Sequence, residues 1–200
     1  MPYDYSDAPP QRELIPANTV ATCCLHIQGG GVGEGGMLKL SRDGHCAMLS
    51  LEITLLDGEF AKRKLWENWI VEAVDHAKAI EISRSRIKAV LDSALGLDPK
   101  DVSPQARAAR TKSYKELEGL NFLGKIGIEK GAPKNDGSGE NWPDKNILAA
   151  IITPDRREWH PVTQPPPFNG GGPAMSGSAA PSSSAPPTST PPITRPGWAS

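Results

Sequence analysis

The chain has 200 residues, a formal net charge of −1 at pH 7 and 22% charged residues. This near-neutral balance argues against a strong, non-specific binder of duplex nucleic acid, because such proteins usually carry a clear excess of basic residues. No apolar run approaches the ~20 residues needed to span a bilayer, and the polar N-terminus lacks the apolar segment of a signal peptide. Two of the three cysteines, Cys23 and Cys24, are adjacent, which favours a reduced cytoplasmic chain over a disulfide scaffold.

Composition divides the chain into three parts. Residues 1–17 are a polar N-terminal lead-in, and residues 18–162 are long enough to form one domain with a real core. Residues 163–200 contain ten prolines, seven serines and a single charged residue, Arg195. Such a segment buries too little apolar surface to offset the entropy lost on ordering, so we expect a disordered tail.

The first half of the domain favours three strands. Residues 19–28 are apolar on both faces and are followed by a glycine-rich loop at 29–36. Residues 47–56 alternate apolar and polar side chains with a period of two. Asp57-Gly58 is a strong turn signal, so we predict a hairpin with a third strand at about residues 60–71.

Residues 80–95 change to helical spacing and predict one amphipathic helix. Ser83 is the candidate N-cap of this helix, and Gly96 is its C-terminal stop. Ser103-Pro104 begins either a second, short basic helix or a solvated loop. The main helix also carries a basic cluster: Arg84, Arg86 and Lys88.

Two more strand-like segments follow, at residues 122–130 and 147–153, with a long polar loop at 131–146 between them. Three strands, one main helix and then two strands form the pattern of a five-stranded oligonucleotide-binding barrel. We therefore expect a mainly β, OB-fold-like barrel whose main α-helix lies between the third and fourth strands.

Two stretches resemble a bacteriophage protein family that was long catalogued as a domain of unknown function: residues 49–68, LSLEITLLDGEFAKRKLWEN, and residues 78–96, KAIEISRSRIKAVLDSALG. That family is now regarded as resembling single-stranded-DNA-binding proteins encoded beside phage recombination and replication genes. The resemblance covers about residues 18–155. It implies a barrel that coats single-stranded DNA in the host-cell cytoplasm, with recombination or replication proteins as further partners. The chain departs from the family in its glycine-rich first loop, and its tail ends without the acidic tip of many single-strand binders.

Binding of single strands without sequence preference requires a positive groove for phosphates and aromatic faces for bases. In the third strand Lys64, Trp66 and Asn68 share one face, which we predict to face solvent. Trp69 shares the opposite face and is expected in the core. We predict Trp66 as a stacking platform with Lys62 and Lys64 on phosphates; the alternative is that Trp66 is simply packed.

Trp142, in the loop before the last strand, is the second candidate platform, and its alternative is to fold back on the barrel. Lys125 and Lys130 alternate with apolar residues of the fourth strand and line the groove or form its solvated face. The predicted nucleic-acid-binding residues are Lys62, Arg63, Lys64, Trp66, Asn68, Lys125, Lys130, Lys134, Trp142 and Lys145.

Metal and catalytic sites are not expected. Cys23, Cys24, His26, His45 and Cys46 lack zinc-site spacing, and adjacent cysteines in a strand point to opposite faces. The glycine run lacks the Lys-Ser/Thr end of a P-loop, and the carboxylates are scattered, so we predict no cofactor and no enzyme activity. The alternative function is a non-catalytic adaptor that recruits a recombinase or replication protein. Oligomeric state is left open.

Overall fold

The computed structural model describes residues 13–135 and 139–165. The first twelve residues of the lead-in and the predicted tail from residue 166 onward lie outside this description. In chain order the elements are β1 (Val20–Gln28), a 3₁₀ turn (Glu34–Gly36), β2 (Lys39–Leu40), β3 (Cys46–Leu55), β4 (Lys64–Ala73), α1 (Ala77–Leu95), α2 (Pro104–Arg110), α3 (Tyr114–Leu117), β5 (Asn121–Glu129) and β6 (Lys145–Ile152). Within these residues no helix is both long and apolar enough to cross a membrane.

The strands form one antiparallel sheet with β3 and β1 at its centre. Ser50 of β3 pairs with Gln28 of β1 on one edge and with Asn68 of β4 on the other. The short β2 pairs with β3 at Met48 and Ala47, on the same edge as β1. β1 pairs in turn with β5, and β5 with β6. The long strands therefore run in the order β4, β3, β1, β5, β6.

The prediction of a mainly β domain with few helices is confirmed, and α1 lies between the third and fourth long strands as expected. The sheet has six strands instead of the predicted five, because the segment after β1 contributes the two-residue β2. This glycine-rich segment closes on itself: the backbone N–H groups of Gly30 and Gly31 both donate to Gly36 O, and Val32 bridges Leu38. Closure of the sheet into a barrel stays a prediction.

The helix ends show what the sequence pattern identified and what it missed. α1 begins at Ala77, so the prediction of Ser83 as its N-cap is wrong; the Ser83 hydroxyl donates to Ala79 O at 3.0 Å inside the helix. Gly96 is confirmed as the stop, in a left-handed conformation with φ 68°. The helical alternative after Ser103 is also confirmed, because its side chain accepts a hydrogen bond from Ala106 N as the N-cap of α2.

The core lies between the inner face of the sheet and α1. The alternating apolar residues of β3 face inward, and Trp69 of β4 is buried as predicted. The lead-in joins this core through Ile15, which is buried and whose backbone N–H and C=O both bond the side chain of Asn146. Other core residues include Leu25, Leu49, Leu51, Ile53, Leu55, Val90, Leu91, Phe122, Ile126 and Leu148.

One charged residue, Glu67 of β4, points into this apolar face, and its side chain is only 11% exposed. Its carboxylate accepts hydrogen bonds from Trp69 Nε1 at 2.8 Å, Arg86 Nη1 at 2.5 Å and the Leu148 backbone N–H at 2.9 Å. These three donors compensate the loss of hydration that a buried carboxylate would otherwise suffer. Glu67 thereby joins β4 to α1 and to β6.

We expect Glu67→Ala to lower the free energy of unfolding by about 3 kcal/mol, because the buried Leu148 N–H and the Arg86 guanidinium would both lose their acceptor. Glu67→Gln keeps a neutral acceptor and should cost less, about 1 kcal/mol. Urea unfolding followed by circular dichroism measures both. Glu81→Ala, at an exposed position of α1, is the matched control. Equal stability of Glu67→Ala and Glu81→Ala would contradict the proposed role of this carboxylate.

Candidate nucleic-acid interface

Trp66 lies on the outer face of β4, where its side chain is 65% exposed. The residue pairs across the ladder with Glu52 of β3. Lys64 and Asn68 are also exposed, and the alternation of the strand places them on the same face as Trp66. The prediction that this face of the third long strand meets solvent is therefore confirmed, and the packed alternative for Trp66 is wrong.

The three basic residues at positions 62–64, before and at the start of β4, lie in three different environments. Lys62 adopts φ 67° in the turn, and its exposed side chain has no ion-pair partner among residues 13–135 and 139–165. Arg63 turns away, since its Nη2 donates to the Glu13 carbonyl at 2.7 Å. The ammonium group of Lys64 lies 2.7 Å from Glu52 Oε1. Lys62 is thus the cation of this run with the most freedom to meet a ligand.

Trp142 lies in a hairpin between β5 and β6. The backbone N–H of Lys134 donates to Glu140 O, and that of Trp142 donates to Ala132 O, both at 2.8 Å. The Trp142 side chain is 60% exposed, and Lys134 Nζ lies 5.8 Å from its ring centroid in a cation–π arrangement. The hairpin therefore displays an indole beside a cation and does not fold it against the sheet.

The lead-in brings the starts of β4 and β6 together. Arg63 binds the carbonyl of Glu13, while Asn146 binds Ile15, two residues further on. Two residues span at most about 7 Å. The turn that carries Lys62 and the hairpin that carries Trp142 therefore lie at the same end of the domain.

Lys125 lies on β5, opposite Val20 of β1 and Ala150 of β6. Its ammonium group faces Glu158, at 3.8 Å, in the segment after β6. Lys125 therefore also has an acidic neighbour.

Most of the predicted phosphate-binding lysines have an acidic neighbour that the sequence pattern did not reveal. The pairs, with N–O distances of 2.6 to 2.8 Å, are Lys64–Glu52, Lys130–Asp144, Lys134–Glu140 and Lys145–Glu129. The hydrogen bond from Lys130 lowers the pKa of the Asp144 carboxyl, and the Gly131 N–H lowers it further. Only the Lys145–Glu129 pair is exposed on both sides; it contributes about 0–1 kcal/mol, so an arriving phosphate can displace its carboxylate. Each of the other three pairs has one partly buried partner.

The cysteines are poorly suited to metal binding. Burial, followed by the charge of Asp57, raises the pKa of the Cys23 thiol to about 12, and burial also raises that of Cys24. Metal ligation requires the thiolate, which these environments disfavour. In the part of the chain that the structure describes, no group of three or more His, Cys, Asp or Glu side chains is arranged to hold a metal ion.

No protein-family model, curated protein or solved structure matches the chain. The phage-family resemblance of residues 49–68 and 78–96 therefore stays a sequence-based expectation.

Gly131 is needed where the hairpin closes, because a Cβ atom there would lie 1.5 Å from Trp142 O. We expect Gly131→Ala to open the hairpin, so that the backbone amides of Lys134 and Trp142 exchange hydrogen faster while β1 and β3 keep their protection. Hydrogen exchange with mass spectrometry measures this change.

Gly139→Ala is the control in the same hairpin, since no heavy atom lies within 4 Å of its added carbon. That variant should keep most of the protection of the hairpin, with only the strain of a left-handed alanine. Identical exchange in the two variants would contradict the close approach at Gly131.

Proposed function

We propose that this chain is a non-catalytic single-stranded-DNA-binding protein that coats and protects unpaired DNA during phage replication or recombination in the host cytoplasm. The observation that carries the proposal is the exposure of two indole rings, each near a lysine. Trp66 is 65% exposed on the outer face of β4, and Trp142 is 60% exposed on the hairpin before β6. Exposed aromatic faces beside cations are the combination that binds bases and phosphates without reading sequence.

The proposed arrangement of the sheet is an OB-fold-like barrel in which β6 lies along β4. The hydrogen bond from Leu148 N to Glu67 supports this arrangement, because it joins the two outermost strands of the sheet. In such barrels the second and third strands and two of the flanking loops bind the oligonucleotide. Here these are β3, β4, the glycine-rich segment before β2 and the hairpin that carries Trp142.

The charge distribution favours binding that depends more on stacking than on phosphate contacts. The chain has a net charge of −1, and five of the six candidate lysines already face carboxylates. Base stacking on an aromatic ring supplies roughly 1–3 kcal/mol per base and accepts every base. The proposal therefore predicts sequence-tolerant binding with a limited contribution from ions.

We expect Trp66→Ala and Trp142→Ala each to weaken oligo(dT) binding by roughly tenfold or more, since each removes one stacking ring. Trp66→Phe keeps an aromatic face and should retain much of the affinity. Fluorescence anisotropy of a labelled oligo(dT) measures all three variants. Val102→Ala, at an exposed apolar position before α2, is the matched control. Unchanged affinity in both alanine variants, with circular dichroism showing native folding, would remove the stacking role.

The salt dependence provides a separate test. The logarithm of the affinity should fall with the logarithm of the salt concentration, by about 0.7 for each phosphate that is neutralised on a single strand. Lys62→Glu should make this slope shallower, whereas Lys78→Glu, at an exposed position in the first turn of α1, should leave it unchanged. Anisotropy titrations at several salt concentrations give the slopes. A flat response in the unmodified protein would argue against phosphate contacts.

The paired lysines also favour a second candidate function, a protein–protein adaptor that holds a recombinase or replication protein. A surface of alternating charges, such as Lys64–Glu52 and Lys145–Glu129, complements a mixed protein surface as well as it does a polyanion. Gel-shift assays with single-stranded and duplex DNA separate the two functions. If the protein shifts neither single-stranded nor duplex DNA, the result would favour the adaptor function.

A further inference from the structure

A second concave surface lies away from Trp66, where the end of β4 meets all three helices. It is a cavity of about 320 Å³, within the range of small-ligand sites. Its apolar floor is formed by Val71, Ile87 and Leu91. The polar groups around this floor are Glu72 from β4, Arg84 and Lys88 from α1, Arg110 from α2 and Tyr114 from α3. We call this surface the Arg84 pocket.

The cations of the Arg84 pocket are unequally satisfied. Lys88 and Arg110 both donate to the carboxylate of Asp92, at 2.6 Å, and Asp92 itself is fully buried behind them. Both cations also bind backbone carbonyls of the loop that follows α1. Arg84 is exposed and has no hydrogen-bond or ion-pair partner in the described part of the chain. Its five N–H donors are therefore available to a ligand.

Charges of both signs surround the pocket. Lys88 and Arg110 share Asp92, and Arg84 is the remaining cation of the lining. Glu72 lies in the lining, and Glu34 is close enough for its charge to act on the Tyr114 hydroxyl. An arginine fork matches phosphate geometry, and its hydrogen bonds to an anion are stronger than those between neutral groups. The unpartnered Arg84 guanidinium therefore favours an anionic ligand, and a phosphate in particular.

The remaining lining residues suit a flat ring attached to that anion. Tyr114 stands beside the apolar floor and offers a ring face and a hydroxyl group, and burial raises its pKa, so the hydroxyl stays a neutral donor. Glu72 accepts hydrogen bonds only, and every nucleobase carries an N–H donor on its pairing edge. Inorganic phosphate alone would leave this half of the pocket unused.

We propose that the Arg84 pocket binds one nucleotide, with the phosphate on Arg84 and the base between Tyr114 and the apolar floor. The source is either a free nucleoside monophosphate or one nucleotide of a bound strand. The pocket is distinct from the Trp66 face, because six residues of extended chain place Glu72 about 20 Å from Trp66. If the nucleotide is part of a bound DNA strand, the inference rests on the proposed function.

The test uses isothermal titration of the full chain with dCMP, inorganic phosphate, deoxycytidine and an acidic peptide. We expect dCMP to bind most tightly, because only it carries both the anion and the ring. Arg84→Ala should weaken dCMP binding by roughly tenfold or more, as expected for a lost charge-assisted contact. Arg107→Ala, an exposed arginine of α2 outside the pocket, is the matched control and should bind dCMP normally. Arg84 has no partner in the described structure, so its removal should leave folding intact.

The outcomes separate this site from the proposed function. Trp66→Ala should weaken oligonucleotide binding by roughly tenfold or more while dCMP binding persists, whether or not the bound DNA strand also uses the pocket. If oligonucleotides fail to bind but dCMP binds and depends on Arg84, the pocket stands and the coating function falls. If Arg84→Ala binds oligonucleotides more weakly and Arg107→Ala does not, the nucleotide in the pocket belongs to a bound DNA strand. Equal dCMP binding by Arg84→Ala, or equally tight binding of inorganic phosphate or the acidic peptide, would overturn the proposal.

Discussion

The Glu67 carboxylate is the contact on which the arrangement of this domain depends. β4 and β6 are the outermost long strands of the sheet, and the backbone N–H of Leu148 reaches β4 through this side chain. The same carboxylate binds Arg86 of α1. A buried acid is stable only with such partners, so it constrains strand and helix to one relative position. An apolar residue at this position would pack as well but would supply no acceptor for the Leu148 N–H.

The inward position of Glu67 determines what the other face of β4 presents. Side chains in a strand alternate, so Trp66 and Asn68 must point outward when Glu67 and Trp69 point inward. The charged residues on the inner and outer faces of β4 make different contacts. The Glu67 carboxylate accepts three hydrogen bonds, whereas on the outer face Glu52 has one ionic contact, with the half-exposed Lys64. β4 thus presents an exposed ring beside a half-buried ion pair.

Local patterns in the sequence predicted the fold where each pattern has one physical cause. The alternation of Leu49, Leu51 and Ile53 specified β3 and its buried face, and Gly96 ended α1 because only the left-handed conformation fits there. Ser83 misled because a serine hydroxyl can also bond a backbone carbonyl inside a helix, as Ser83 does with Ala79 O. The lysine pairs and the Arg84 pocket could not be predicted, since their partners come from separate elements. The closely spaced Arg84, Arg86 and Lys88 indicated positive charge, but not that Arg86 and Lys88 form ion pairs.

The buried Asp92 explains why the Arg84 pocket keeps a free cation. Asp92 holds Lys88 and Arg110 against the loop that follows α1, where both also bind carbonyl oxygens, so these two cations fix helix positions. Arg84 lies on the same helix, two turns before Asp92, and is too far along the axis to reach its carboxylate. The network that stabilises the helices therefore leaves one guanidinium at the mouth of the cavity. A ligand that binds Arg84 has to displace only water. At the surface around Trp66, by contrast, a ligand of Lys64 has to displace the Glu52 carboxylate.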